Sequence, residues 1–366
     1  MAKIKVRKGM PSVQLDKQEF KKRFLARFYD PEFEPLRREL DKIVETAWVT
    51  YNEYHKSPRT RKAGKGFVDP DFDAPVEWLQ TRANIQAAES VHKNPKSPSR
   101  ILIINGSSRN DQTCPGEMSK TWRMVTLAKQ AVEKTRGFEV DILDLSRLTA
   151  EYGKVIYPCK ACVSTAQPLC HWPCSCYPNH ALGQAGDWMA EIYPKWVAAH
   201  GVMIVCPVNW YQAPSSLKLM IDRLVCADGG NPDLTSTGGK DPMKAKRLEL
   251  AGWPYPRHLS GRVFSVVVHG DAAGTENLRR ILTDWMSDIG MIPSGHLALI
   301  DRYVGYLTPY ATSHDDLDQD TDFQDDVGNA ALTLIQAVKD RRSGKLQPAD
   351  RAYTRRGQSS RSPKTR

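Results

Sequence analysis

Ile101-Leu102-Ile103-Ile104-Asn105-Gly106-Ser107-Ser108-Arg109 decides the fold. Four apolar residues of strand length run straight into a turn, and a helix is predicted to follow over Met118–Lys134. Gly106 permits a sharp turn directly after the strand. Ser107 and Ser108 bring hydroxyls, and Arg109 brings a guanidinium fork suited to phosphate oxygens. A helix N-terminus adds unpaired N–H groups and a positive dipole end, so the turn reads as a phosphate-binding loop. Ser119-Lys120-Thr121 supplies further donors ten residues on. The spacings GxxxxGK[ST] and GxGxxG are both absent, which excludes a Walker loop and a dinucleotide fingerprint.

Outward from this turn, apolar strands alternate with helices. Strands are predicted at Ile101–Ile104, Val140–Leu145, Val202–Val208, Val263–His269 and His296–Ile300. Helices are predicted over Met118–Lys134 and about 184–199, 215–225, 276–289 and 325–341. Continuous apolar strands joined by helical crossovers indicate an α/β fold, a doubly wound parallel sheet covered on both faces. Residues 1–95 lack strand alternation and read as a helical N-terminal extension. Leu36, Leu40, Ile43, Val44, Ala47, Trp48 and Tyr51 form one stripe, Phe20, Phe24, Leu25 and Phe28 a shorter one, and Pro75–His92 a further helix. Ser57–Pro75 and Ala227–Ser260, rich in Pro, Gly and Lys, read as loops. The expected division is 1–95, a core over 99–341, and a tail over 342–366.

The formal charge is +10, but residues 341–366 carry nine Lys/Arg against Asp350, leaving about +2 for the remaining 340 residues. That basic tail is poor in apolar residues and reads as disordered. The near-neutral body offers no nucleic-acid groove. No apolar run approaches the roughly 20 residues of a membrane span, and the first residues lack a signal-peptide core, so a soluble cytoplasmic protein is expected.

Two more loops follow predicted strands. Pro207-Val208-Asn209-Trp210-Tyr211-Gln212-Ala213-Pro214 carries adjacent aromatics suited to a flat heteroaromatic ligand, and His269-Gly270-Asp271 to Glu276 allows close backbone approach. Taken with Gly106-Ser107-Ser108-Arg109, Ser119-Lys120-Thr121 and Leu217-Lys218-Leu219-Met220-Ile221-Asp222-Arg223, these motifs resemble the NADPH-dependent FMN reductase branch of the flavodoxin-like superfamily over roughly residues 99–300. The resemblance implies a five-stranded sheet in order 2-1-3-4-5 with FMN at its carboxyl edge. It implies that Ser107, Arg109, Ser119, Lys120 and Thr121 take the phosphate. Pro207, Val208, Asn209, Trp210 and Tyr211 would border the isoalloxazine, with His269, Gly270 and Asp271 on its other side. NADPH would be the electron donor and a quinone, nitroaromatic, flavin or similar small molecule the acceptor, in a homodimer or homotetramer. A flavodoxin-type electron carrier, or an iron–sulfur flavoprotein using the cysteine loop of residues 159–176, is the alternative. The flavin carries such chemistry, so no acid–base side chain is obligatory, and His269 is the one candidate. Two departures stand out: Asn110 to Met118 is inserted in the phosphate loop, and Asn209-Trp210 stands where the family usually has a Tyr.

Five of the eight cysteines fall between 159 and 176, as Cys159-x2-Cys162-x7-Cys170-x3-Cys174-x-Cys176. Cys159, Cys162, Cys174 and Cys176 could form a tetrahedral zinc site. An iron–sulfur cluster, as some flavoproteins of the family hold in this loop, would need a Cys at Thr165. A redox-active dithiol and an inert loop remain open beside these.

Overall fold

A computed structural model describes residues 4–113 and 116–347. The predicted basic tail, from residue 348 onward, and Cys114-Pro115 of the phosphate-loop insertion lie outside the described residues. Contacts divide the chain into two compact units. Among the described residues one comprises 4–82, 160–187 and 231–254; the other comprises 83–159, 188–230 and 255–347. The grouping crosses the linear order, because two stretches that interrupt the α/β core in sequence belong with the N-terminal residues.

The larger unit is the flavodoxin-like core. Its elements are β1 (Ser99–Asn105), α1 (Lys120–Glu133), β2 (Phe138–Asp144), α2 (Met189–Ala198), β3 (Gly201–Pro207), α3 (Ser215–Arg223), β4 (Val263–Gly270), α4 (Thr275–Asp288), β5 (Leu299–Tyr303) and α5 (Thr321–Arg342). All strand pairs are parallel, in the order β2-β1-β3-β4-β5, and a two-residue strand, Ile292–Pro293, adds to the same edge of β4. Every residue of β4 is buried, as a strand covered on both faces requires. On one face Ile101, Ile103, Met203, Val205 and Val267 pack with Met124 and Val125 of α1 and with Phe323, Val327, Leu334 and Val338 of α5. Burial of this apolar area, at about 25 cal/mol per Å², supplies the main stabilisation.

Register aligns the strands' carboxyl ends. Asn105 lies opposite Asp144, Pro207 opposite His269, and Gly270 opposite Tyr303. The loops that follow β1, β2, β3, β4 and β5 therefore gather on one edge.

Several sequence expectations need correction. The last strand begins at Leu299 rather than His296, because His296–Ala298 form a 3-10 turn. The helix expected from 184 begins at Met189; Gly186 before it has φ +71°, and Asn179 and Gln184 exchange backbone hydrogen bonds instead. The loop expected over 227–260 contains a helix, Pro242–Leu250, capped by Asp241, whose carboxylate accepts from the Met243 and Lys244 amides.

In the smaller unit, Lys17–Leu25 and Arg37–Asn52 are helices whose Phe20, Trp48 and Tyr51 rings cluster within 6 Å of one another. The stretch read as loop over 57–75 holds an antiparallel pair, Thr60–Lys62 with Asp73–Pro75. It leads into the helix Val76–Lys93, which from Ala83 on is grouped with the larger unit; its Trp78 and Leu79 pack with Ala74 and Leu234 in a small core. Among the described residues no helix is long and apolar enough to cross a membrane.

Candidate active site

The phosphate loop is built from the end of β1. Gly106 donates its amide to Val205 O at 2.8 Å, and a Cβ there would stand 2.6 Å from Cys206 Cβ, so only glycine fits. Asn105, buried, donates to Asp144 Oδ1 at 2.7 Å and accepts from the Ser107 amide at 3.2 Å. Asp144 Oδ1 also accepts from the Ser146 amide and hydroxyl. This network fixes the turn to the neighbouring strand end. Ser107 Oγ accepts from the Arg109 amide at 3.2 Å, and the Ser108 and Ser216 hydroxyls lie 3.1 Å apart, tying the loop to the first turn of α3.

The insertion is anchored as well. Asn110 Nδ2 donates to Ser146 O at 2.6 Å and to Thr149 Oγ1 at 2.9 Å, and Thr149 Oγ1 donates to Ser108 O. Ser119 caps α1 by accepting from the Trp122 amide at 3.0 Å. The amides of Lys120 and Thr121, in the helix's first turn, have no partner within the helix. Lys120 is half-buried beside Val304 O; burial lowers its pKa, opposed by the carboxylates of Asp271, Asp316 and Glu117. Thr121 and His269 are both buried and hydrogen-bonded to each other at 2.9 Å. Burial, followed by the Lys120 charge, pushes His269 down to about 4, so its ring is neutral at pH 7.

After β3, Asn209 and Gln212 exchange both backbone hydrogen bonds at 3.0 Å around Trp210 and Tyr211, at φ +46° and +66°. Two left-handed residues in succession make a turn that normally selects Asn and Gly. Aromatic residues there hold strain of about 1–3 kcal/mol each, of the kind that collects at functional sites. Trp210 is 93% exposed and Tyr211 59%, so neither gains by burial in the chain itself. The loop after β4 closes against them: a Cβ on Gly274 would stand 3.2 Å from Tyr211 Cα, and one on Gly270 would stand 3.3 Å from Val208 Cβ. Asp271 takes a hydrogen bond from Tyr310, which raises that phenol's pKa.

The three loops singled out in the sequence thus stand together on one edge. Asn105 and Ser216, quoted within the loops but given no role in the sequence, hold them in place together with Asp144 and Thr149, which sequence reading passed over.

Residues 99–304 match the sequence family described as NADPH-dependent FMN reductase, more than half of the chain. The chain belongs to that family. A curated relative, the iron–sulfur flavoprotein of Methanosarcina thermophila, is 32% identical over 127 residues, 34% of this chain and 52% of the relative, so the match spans about half the relative's length. Among solved structures, RosB with a bound 8-demethyl-8-formylriboflavin-5'-phosphate aligns over 72% of this chain and 87% of its own at 13% identity, TM-score 0.48. A flavone reductase aligns over 68% and 66% at 16% identity, TM-score 0.38.

For an FMN reductase the donor set is apt. Amides at a helix start, serine hydroxyls, Arg109 and a half-buried lysine suit a phosphate dianion. The site fits FMN.

The cysteine loop is a separate matter. Among the described residues no three His, Cys, Asp or Glu side chains are arranged to hold a metal, so the quartet Cys159, Cys162, Cys174 and Cys176 is not assembled as a ligand set. Instead, the ammonium of Lys240 stands 3.1 Å from Cys162 Sγ, and Lys56 is bonded to Ser175 O beside Cys174 and Cys176.

Proposed function

We propose that this family member is an NADPH-dependent, FMN-containing oxidoreductase that reduces a small aromatic or quinone-type acceptor. Bound FMN supplies two-electron exchange between a nicotinamide and a second substrate. The chain's own residues bind and orient it. Ser107, Arg109, Ser119 and Lys120 hold the phosphate, and Asn105 with Asp144 keeps that loop rigid. Thr121 and His269 position the α1 start against the β4 end. Pro207, Val208, Asn209, Trp210 and Tyr211, with Gly270 and Asp271, border the ring.

The observation that carries this reading is the strained, exposed Trp210-Tyr211 turn beside a phosphate loop on the same sheet edge. Exposed aromatic faces held at an energetic cost suit stacking on a planar ligand. A carrier holding the same flavin would use the same surface; the near-neutral body, about +2 over residues 1–340, is what favours the enzyme over an acidic carrier. Assembly as a homodimer or homotetramer belongs to the same proposal, since Trp210, Leu307 and Tyr310 leave apolar area exposed on these loops. NADPH oxidation by the purified protein, followed with benzoquinone, a nitroaromatic and free FMN in turn, tests it. Turnover with at least one acceptor is expected; flavin-loaded protein idle with all three rejects the reductase.

A further inference from the structure

The four cysteines Cys162, Cys170, Cys174 and Cys176, with Lys240 and Lys56, all belong to the smaller unit and have no part in the proposed flavin chemistry. Cys162 lies at the centre. Its Sγ is 4.0 Å from Cys176 Sγ, 3.1 Å from Lys240 Nζ and 3.6 Å from Leu169 O, and it shares a hydrogen bond with Cys170. Ala166, Leu169 and Ala245 wall the thiol with apolar surface. Cys162 is half-buried and Cys176 buried, so Cys162 is the more accessible residue of the two.

Lys240 is held in place. Its Nζ donates to Leu169 O at 2.7 Å as well as to Cys162. Burial opposes its charge, yet Cys176, followed by Cys162 and Cys174, outweighs burial and keeps the ammonium above its ordinary range. The hydrogen bond with Cys170, and burial after it, hold Cys162 as a thiol at rest, while Cys176 and Lys240 pull the other way. A fixed ammonium at this distance lowers the energy of a thiolate at the moment of attack. His171, fully buried and neutral, accepts or donates at Ser175 Oγ and Thr237 Oγ1, which braces the loop between Cys170 and Cys176.

We propose that Cys162 and Cys176 form a reversible dithiol–disulfide pair that exchanges with low-molecular-weight disulfides, with Lys240 as the residue that positions and stabilises the attacking sulfur. Cys162 thiolate attacks one sulfur of RSSR, forming a mixed disulfide and releasing RS⁻. Cys176 then attacks the Cys162 sulfur of that bond, forming the Cys162–Cys176 disulfide and releasing the second RS⁻. The two cysteine protons pass to the leaving groups, so protein dithiol plus RSSR gives protein disulfide plus two RSH. Forming the bond requires the two sulfurs, now 4.0 Å apart, to approach to about 2 Å.

The test is thiol mapping on the full-length protein, purified reduced and without air, then equilibrated in glutathione buffers of graded ratio. Remaining thiols are alkylated and disulfide-linked peptides identified by mass. The expected result is one link, Cys162 to Cys176, that forms and reverses with the glutathione ratio and persists in Cys174→Ser. Lys240→Met should reach the same link more slowly, by roughly three- to tenfold, because the thiolate loses a stabilising charge while gaining some nucleophilicity. Cys162 still alkylated in the most oxidising buffer overturns the pair, as does a link from Cys162 to a different cysteine. Iron or zinc near one per chain that shields these thiols from alkylation overturns it too.

Discussion

Thr121 Oγ1 and His269 Nε2, 2.9 Å apart and both shut off from solvent, join the first turn of α1 to the end of β4. Because His269 is neutral at pH 7, this bond ties two loops of the site without placing a charge beneath them. Thr121→Val keeps the shape and leaves the imidazole nitrogen buried without its partner. A loss of about 1–3 kcal/mol is expected, read from urea unfolding. An unchanged midpoint would show that the bond holds nothing.

Gly106→Ala tests the close approach of the phosphate loop to β3. The new Cβ meets Cys206 Cβ, which belongs to a fully buried strand residue and cannot swing aside. About 1–3 kcal/mol of stability should go, together with most of the flavin retained on purification. A variant that keeps its flavin sinks the claim that the turn's position matters.

The Trp210-Tyr211 turn makes the opposite prediction for stability. Replacing the pair by Asn-Gly, as Trp210→Asn with Tyr211→Gly, suits the left-handed backbone and should raise stability by about 1–3 kcal/mol. The same change should raise KM for aromatic acceptors, since the stacking faces are gone. Higher stability with an unchanged KM would leave the turn without the function assigned to it.

How far the sequence reveals the fold can be judged element by element. β1, β3 and β4 are legible because central parallel strands are buried on both faces and must be apolar throughout. β5 is displaced by three residues from its predicted place because it is an edge strand that tolerates charge: Asp301 is bonded to Arg279, and Arg302 lies 3.6 Å from Asp320. The Thr60–Lys62 strand is exposed along its length, so it has no alternation to read, and its Lys62–Asp73 pair at 3.0 Å emerges only on folding. Asp241-Pro242 is a readable helix start that the loop-like composition around it concealed. The three flavin loops follow strands and announce themselves locally. The neighbours of the cysteine loop, Lys56 and Lys240, are over sixty residues from Cys174 and Cys176, beyond any spacing rule.

Acid should destabilise the larger unit through a pair of histidines, His200 buried and His92 half-buried. The rings of His92 and His200 stack at 4.7 Å. His200 Nδ1 accepts from the Arg100 amide, and its Nε2 donates to His92 O, which requires the neutral ring. Burial, ahead of nearby arginines, lowers His92 to about 3 and His200 to about 4. Both lie below the ordinary 6.5, so the unfolded chain binds more protons in this range. Stability should be full above pH 6.5 and fall progressively toward pH 4. Urea unfolding across that window checks it, and His92→Leu should reduce the slope; a parent protein with flat stability from 6.5 to 4 contradicts it.

The central claim is that the turn after β1 holds the phosphate of FMN, and comparing FMN with riboflavin tests it most directly. Both carry the same ring, so only the phosphate loop can separate them. Titration of flavin-stripped protein should show FMN tighter by roughly a hundredfold or more, with Arg109→Ala losing ten- to a hundredfold for FMN and little for riboflavin. Equal affinity for the two flavins, or an Arg109→Ala effect of the same size on both, would contradict the account.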